Sequence, residues 1–147
     1  MLPDQFVEKL KAGERNFRGI TLKDCALKGM DLQGIDLSYS NLEAIDFHES
    51  NLAGANLVGA MLFKVNLTGA NLQRVSLEKA KVLIVRMEAA DLRQANLKGA
   101  QIMDTDLYDA NLWGAVLADG ELYGKSPIMR TSIVVMQLSD DDSLTAM

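Results

Sequence analysis

The chain has 147 residues, with 20 acidic against 15 basic side chains and a formal net charge of −5. That balance excludes a bulk-electrostatic nucleic-acid binder, which needs a basic face. A single cysteine, Cys25, excludes an internal disulfide framework and a Cys-rich zinc site.

No stretch approaches the roughly 18 consecutive apolar residues of a membrane span. Residues 1–16 carry Asp4, Glu8 and Glu14 without an uninterrupted apolar run, so they do not read as a signal peptide. The expectation is a single soluble domain in a reducing compartment, the cytoplasm, with no membrane association.

Residues 3–12, PDQFVEKLKA, predict one short helix. Pro3 suits the first turn, Asp4 favours the positive end of the dipole, and Gly13 is a stop. Phe6, Val7 and Leu10 share a face. Segment 1–14 is therefore expected to be a capping helix for the repeats that begin near residue 15, since a repeat stack needs a cover on its open end. Its short length and mixed charge argue against a membrane-surface helix.

A five-residue pattern then begins and is most regular in NLAGANLVGAMLFKVNLTGANL, residues 51–72. Five residues advance a helix by about 500°, so the leucines would drift around its surface. In a flat strand an odd period flips each leucine to the other face. All of them are buried together only if the chain bends once per repeat, which predicts a solenoid. Stepping by five from Phe17 gives Leu22, Leu27, Leu32, Leu37, Leu42, Phe47 and Leu52, and continues through Val82 and Met87 to Leu122 without an insertion. The residue two before each is small or apolar through most of the chain, as at Cys25, Ile35, Ala55, Val65, Ala70 and Ala90. These two positions should point inward and the other three outward.

Ala55-Asn56-Leu57, Ala70-Asn71-Leu72, Ala90-Asp91-Leu92, Ala95-Asn96-Leu97 and Ala110-Asn111-Leu112 carry a resemblance to the pentapeptide-repeat family and its A(D/N)LXX motif. It covers residues 15–124. The resemblance implies an all-β fold, a right-handed quadrilateral parallel β-helix with four repeats per turn and Leu or Phe stacked inside. About 22 repeats then make about five and a half coils, a body about 25 Å tall at the strand spacing.

Each position has a physical reason. A buried leucine contributes about 1.5–3 kcal/mol, and a stack of them offsets the chain's lost entropy. Asn or Asp before the leucine can hydrogen-bond nearby backbone and stabilise the bend. Gly two after it, as at Gly19, Gly54, Gly59 and Gly99, eases the corner. The many Asn and Asp read as structural, because calcium-binding β-helices use a longer Gly-Gly-x-Gly-x-Asp repeat, absent here.

One coil departs from the motif. Residues 78–89 place Lys81 and Arg86 where Asn or Asp is usual, and Leu83 and Ile84 at outward positions. The run Val82-Leu83-Ile84-Val85 suggests strand-like, less tightly turned corners. The coil is either a tolerated imperfection or a contact site. With four repeats per coil, residues twenty apart are stacked, giving a column Lys23, Glu43, Phe63, Leu83, Met103 and Tyr123. Phe63, Leu83, Ile84, Met103 and Tyr123 form the candidate interaction surface, an apolar stripe expected to be covered. Its cover is the chain's own tail, a second copy in a homodimer, or another protein. The tail, 125–147, leaves the register; its β-prone part, 132–138, would lie across the stripe, cap the top coil or pair in a dimer. Residues 139–147 read as a frayed end.

No chemistry is expected. His48, the only histidine, reads as a surface residue beside Glu49, with no nucleophile placed for it. Cys25 reads as a small core residue. There is no phosphate loop, dinucleotide fingerprint or metal-ligand spacing, so no cofactor and no metal site are predicted. Asp104, Asp106, Asp109 and Asp119 read as a solvated acidic patch. Two function classes remain. One is a non-enzymatic scaffold presenting rigid faces to a protein partner. The other comes from the resemblance: some members of that family are acidic dimers that mimic DNA and modulate DNA gyrase, giving quinolone resistance. Arg74, Lys79, Lys81, Arg86, Arg93 and Lys98 interrupt any acidic stripe that such mimicry would use.

Overall fold

The computed structural model describes residues 1–124. The segment 125–147, with the strand expected at 132–138, lies outside the described residues. Helix α1, Pro3–Lys11, opens the chain. It is followed by β1 (Thr21–Ala26), β2 (Asn41–Asp46), β3 (Met61–Phe63), β4 (Lys81–Leu83) and β5 (Gln101–Met103). The strands form one five-stranded parallel sheet in sequence order, each paired with the strand twenty residues on, as Leu22 with Leu42 and Leu62 with Val82. Isolated parallel bridges at the same offset, such as Asp31 to Asn51 and Asn66 to Arg86, close the other sides. The result is a parallel β-solenoid with four turns between β1 and β5 and four repeats to the turn.

From Phe17 to Leu112 the central residues expected to face inward do so. Leu27, Leu32, Leu37, Leu42, Leu52, Leu62, Leu67 and Leu72 are fully buried, as are Ala70, Val75 and Ala80 between them. α1 lies against β1. Its Phe6 ring meets Phe17 at 4.6 Å between centroids, and the N-terminal ammonium of Met1 donates to the Thr21 carbonyl at 3.0 Å. Among the described residues no helix is long and apolar enough to cross a membrane.

Three local devices bend the chain. First, in most repeats an Asn or Asp before the central residue accepts the backbone N–H two residues on, as Asn51 from Ala53 at 3.1 Å and Asn66 from Thr68 at 3.0 Å, an Asx turn. Second, the central carbonyl accepts the N–H three residues on, as Leu52 from Ala55 and Leu67 from Ala70, both at 3.0 Å. Third, the residue two after the centre takes a positive φ at every repeat from Gly19 to Gly114, the third-position requirement of a type II turn. Among the described residues twelve other than glycine carry a positive φ, including Tyr39, Glu49, Arg74 and Ile84. Corner glycines therefore ease the turn without being required by it.

Glycine has a second use, which only the stacked coils reveal. The side chain at this corner leans over the residue twenty positions later. A Cβ on Gly59 would stand 2.6 Å from Tyr39 Cε1, and Cβ atoms on Gly69, Gly99 and Gly114 would stand 3.3 Å from the Cγ atoms of Glu49, Lys79 and Gln94. Tyr39, Glu49, Lys79 and Gln94 are thus each followed by a glycine one coil higher, whereas Arg74 is followed by Gln94 and, on the side bearing the sheet, Lys64 by Ile84.

The register was expected to run on through Leu122. It does not. The chain reverses at Ala118–Gly120, and Leu122 pairs antiparallel with Val116. Leu117 N–H donates to Glu121 O and Tyr123 N–H to Ala115 O, both at 2.8 Å. The cause is local: Gly120 occupies an inward position with no side chain to fill it, and Asp119-Gly120 is a tight-turn dipeptide.

Candidate interaction surface

One side of the prism is built differently from the other three, and it is the side bearing the sheet. The residues before its centres are Thr21, Asn41, Met61, Lys81 and Gln101, and from β3 upward none has a short carboxylate or amide to make the Asx bond. Its corners are open too. Val65, Val85 and Thr105 lack the turn bond to the centre three residues back, and β1 and β2 continue as strand through the same corner. The corner residues are Asp24, Ala44, Lys64, Ile84 and Asp104, with φ between 51° and 57° and no glycine among them. The residues just past these corners, Cys25, Ile45, Val65, Val85 and Thr105, are all larger than alanine, and four are β-branched, which favours extended backbone.

The strand-like corner expected at 82–85 is therefore present, but it belongs to this whole side and not to the aberrant coil 78–89 alone.

Sheet register fixes the outward column. Lys23 pairs with Glu43, Glu43 with Phe63, Phe63 with Leu83 and Leu83 with Met103. Its lower end is polar, with Lys23 Nζ 3.7 Å from Glu43 Oε2. Above that the column turns apolar. Phe63 and Leu83 are half-buried, while Ile84 and Met103 are 47% and 56% exposed. The Lys64 ammonium lies 5.2 Å from the Phe63 ring centroid and screens part of it.

Tyr123 does not crown this column. The reversal at Ala118–Gly120 carries it to Ala115, where it packs half-buried against the core. Met61 joins the surface instead, half-buried beside Phe63 in the slot that Asn or Asp holds elsewhere. Its signal was legible as a break in the motif. Four of the five expected residues, Phe63, Leu83, Ile84 and Met103, thus share the outer face of the sheet, and Tyr123 does not.

The exposed aromatics Tyr108 and Trp113, with His48 and Cys25, stand apart from it. Tyr108 occupies the next side and Trp113 the opposite one, both largely exposed. A Cβ on Gly124 would stand 2.9 Å from the Trp113 ring, so the chain passes against the indole there. His48 Nε2 lies 3.7 Å from Glu49 Oε2 at the surface. Cys25 is buried, and that burial, followed by the charge of Asp4, pushes its thiol up from the ordinary value. Among the described residues no group of three or more His, Cys, Asp or Glu side chains is arranged to hold a metal ion. Charge on the remaining sides is paired in places: Arg93 donates to both carboxylate oxygens of Asp91 at 2.9 and 2.7 Å, and Arg86 to Glu88 at 3.0 Å.

A family model for pentapeptide repeats matches the chain in eight copies over residues 16–52, 40–78 and 85–121. No curated protein matches it. Among solved structures it is similar to a pentapeptide repeat protein of the Arabidopsis thaliana thylakoid lumen, at 26% identity and a TM-score of 0.54, over 80% of this chain and 74% of that one. It is also similar to QnrB1, a plasmid-mediated fluoroquinolone resistance protein, at 18% identity and a TM-score of 0.52, over 69% of this chain and 65% of that one. A pentapeptide repeat protein from Nostoc Pcc 7120 is 32% identical over 76% of each chain, with a TM-score of 0.38.

Proposed function

The chain belongs to the pentapeptide-repeat family, and from that premise we propose that it is a non-enzymatic scaffold whose sheet side binds a protein partner. The observation that carries this reading is the outer face formed by Met61, Phe63, Leu83, Ile84 and Met103. It is flat, because its corners are open. It is apolar in its upper part, and it is held in register by the ladder beneath it. Such a face loses exposed apolar area when it is covered, worth about 25 cal/mol per Å² removed from water. The reading places the protein in the cytoplasm, where its lone, buried cysteine stays a thiol. It assigns no cofactor.

DNA mimicry is not favoured. Lys79 and Lys98 on one side, and Arg74 and Arg93 on another, break the run of negative charge it would need. The likeness to QnrB1 carries the fold and no role.

The test is affinity capture from the source cells with the wild-type protein, with Phe63→Glu/Leu83→Glu, and with a control, Glu78→Lys, on a neighbouring side. A partner retained by the control and lost by the double variant supports the reading, given an unchanged far-ultraviolet spectrum. Identical capture by all three proteins removes it.

A further inference from the structure

We propose that the open edge of β5 is the docking site of the chain's own segment 132–138, laid antiparallel along it. In a parallel ladder alternate residues bond to opposite neighbours. Gln101 N–H donates to Ala80 O at 2.9 Å, and Met103 O accepts from Ile84 N–H at 3.0 Å, so both face β4 and the coil below. The N–H and C=O of Ile102 therefore face away, along an edge where the sheet order ends.

The opposite edge is closed. There the Met1 ammonium satisfies the Thr21 carbonyl, and α1 packs alongside. The residues that the register would bring over β5, Glu121 to Tyr123, have turned back to pair with Ala115, Val116 and Leu117. An edge unpaired among the described residues and flanked by exposed Met103 invites a strand, and natural sheets cover such edges.

Twenty-three residues lie beyond Gly124 (147 − 124). Among them, 132–138 reads Ser-Ile-Val-Val-Met-Gln-Leu, rich in β-branched and apolar residues and free of Gly and Pro. The seven residues 125–131 reach at most about 25 Å when extended. Opposite sides of the prism lie about 10 Å apart, as packed sheets do, so the link suffices. Tethering gives the segment a millimolar effective concentration, which favours it over a second copy on an edge only three residues long.

Charge sets the direction. β5 runs toward Asp104 and Asp106. Arg130 precedes the segment, and Asp140, Asp141 and Asp142 come after it. Antiparallel docking brings Arg130 to that acidic corner, whereas parallel docking would bring three more carboxylates there.

The test uses the full chain with Cys25→Ala. Met103→Cys or Gln101→Cys is paired with a single cysteine at each position from 132 to 138, and the proteins are mildly oxidised. Bridges should form within one molecule, at alternate positions, as the period of a strand requires. Met103→Cys should favour the first half of the segment and Gln101→Cys the second. Bridges only between molecules, equal bridging at every position, the reverse order, or no bridging each overturn the proposal. In addition, Val135→Pro should speed hydrogen exchange at the Ile102 amide at least tenfold, and an unchanged rate overturns it as well. Phe63→Glu/Leu83→Glu should leave the bridging pattern intact, which separates this result from that of the partner reading.

Discussion

Gly59 and Gly54 differ in one respect, and the difference is measurable. Both have a left-handed φ, +66° and +69°, so alanine at either meets the same backbone penalty, about 1–2 kcal/mol. About 0.4–1 kcal/mol of that is offset by the lower entropy of the unfolded chain. A Cβ at Gly54 meets nothing within 4 Å, and the net cost of Gly54→Ala should be about 0.5–1 kcal/mol. At Gly59 the Cβ would stand 2.6 and 2.7 Å from the Tyr39 ring. The ring must swing away and leave Arg18, whose guanidinium carbon sits 4.5 Å from its centroid. An exposed cation–π contact is worth about 0.5–1 kcal/mol. Gly59→Ala should therefore cost about 1–2 kcal/mol, and Tyr39→Ala should remove the excess from the Gly59→Ala background. Thermal melts followed by circular dichroism read this directly, at about 2–4 °C per kcal/mol for a chain of this length. If Gly59→Ala melts with Gly54→Ala, or if the double variant recovers nothing, corner stacking does not select glycine.

Other side chains yield sharper contrasts. Ser50 Oγ is buried without a partner, beneath Ala70 in its column, so Ser50→Ala should be neutral or stabilising in a urea titration. Ser40 occupies the equivalent inward position on the sheet side; its hydroxyl donates to Phe17 O and accepts from Ile20 N–H, both at 3.1 Å, so Ser40→Ala should cost about 1–2 kcal/mol. The hydrogen bond from buried Ser38 holds the Asp36 carboxyl below its ordinary value of 3.8. A depressed carboxylate stabilises the fold above its unfolded pKa and loses that contribution as pH falls through the folded one. The Asp36-dependent part of the stability gap between wild type and Ser38→Ala should thus be full at pH 5 and above and shrink below pH about 3.8, measured by melts across acid pH. Burial raises the Cys25 thiol and shields it, so a maleimide at pH 8 should label it only as fast as the protein opens; rapid native labelling would contradict that.

The solenoid was legible because its signal is redundant. Each coil restates the same inward pair, so an imperfect repeat such as Val82 or Met87 stays in phase with its neighbours. The outward column was legible for the same reason, once residues were sorted at intervals of twenty. Three things were not. Left-handed backbone at Tyr39, Arg74 or Ile84 runs against local preference, and it is imposed by coils above and below, which no five-residue window contains. The open corner draws the eye to residues 78–89, where the deviation is loudest. Its true period is twenty, carried by Cys25, Ile45, Val65, Val85 and Thr105, and all but Thr105 match an ordinary core residue when read singly. The end of the register hid behind Leu122, which continues the apolar step of five. Gly120 in an inward slot, preceded by Asp119, was the contrary sign, and it displaced Tyr123 from the candidate surface.

The same sorting of positions explains why the sheet side carries the candidate contact residues. On the other three sides, two of the three outward positions are committed to the bend in most repeats, Ser76, Arg86 and Val116 being exceptions at the position before the centre. One supplies the Asx acceptor, and the other must fit a left-handed corner beneath or above its stacked neighbour. Only the remaining position is free to vary. On the sheet side the ladder holds the chain extended, the Asx bond is not made from β3 upward, and the corner needs no turn hydrogen bond. The position before the centre is released, which is how Met61, Lys81 and Gln101 come to stand there, and the corner can carry a branched residue such as Ile84. A surface that can be rewritten without unmaking the coil is the surface on which selection for a partner can act. Removing the constraint and exposing the apolar residues are therefore one structural event, seen first from the backbone and then from the solvent.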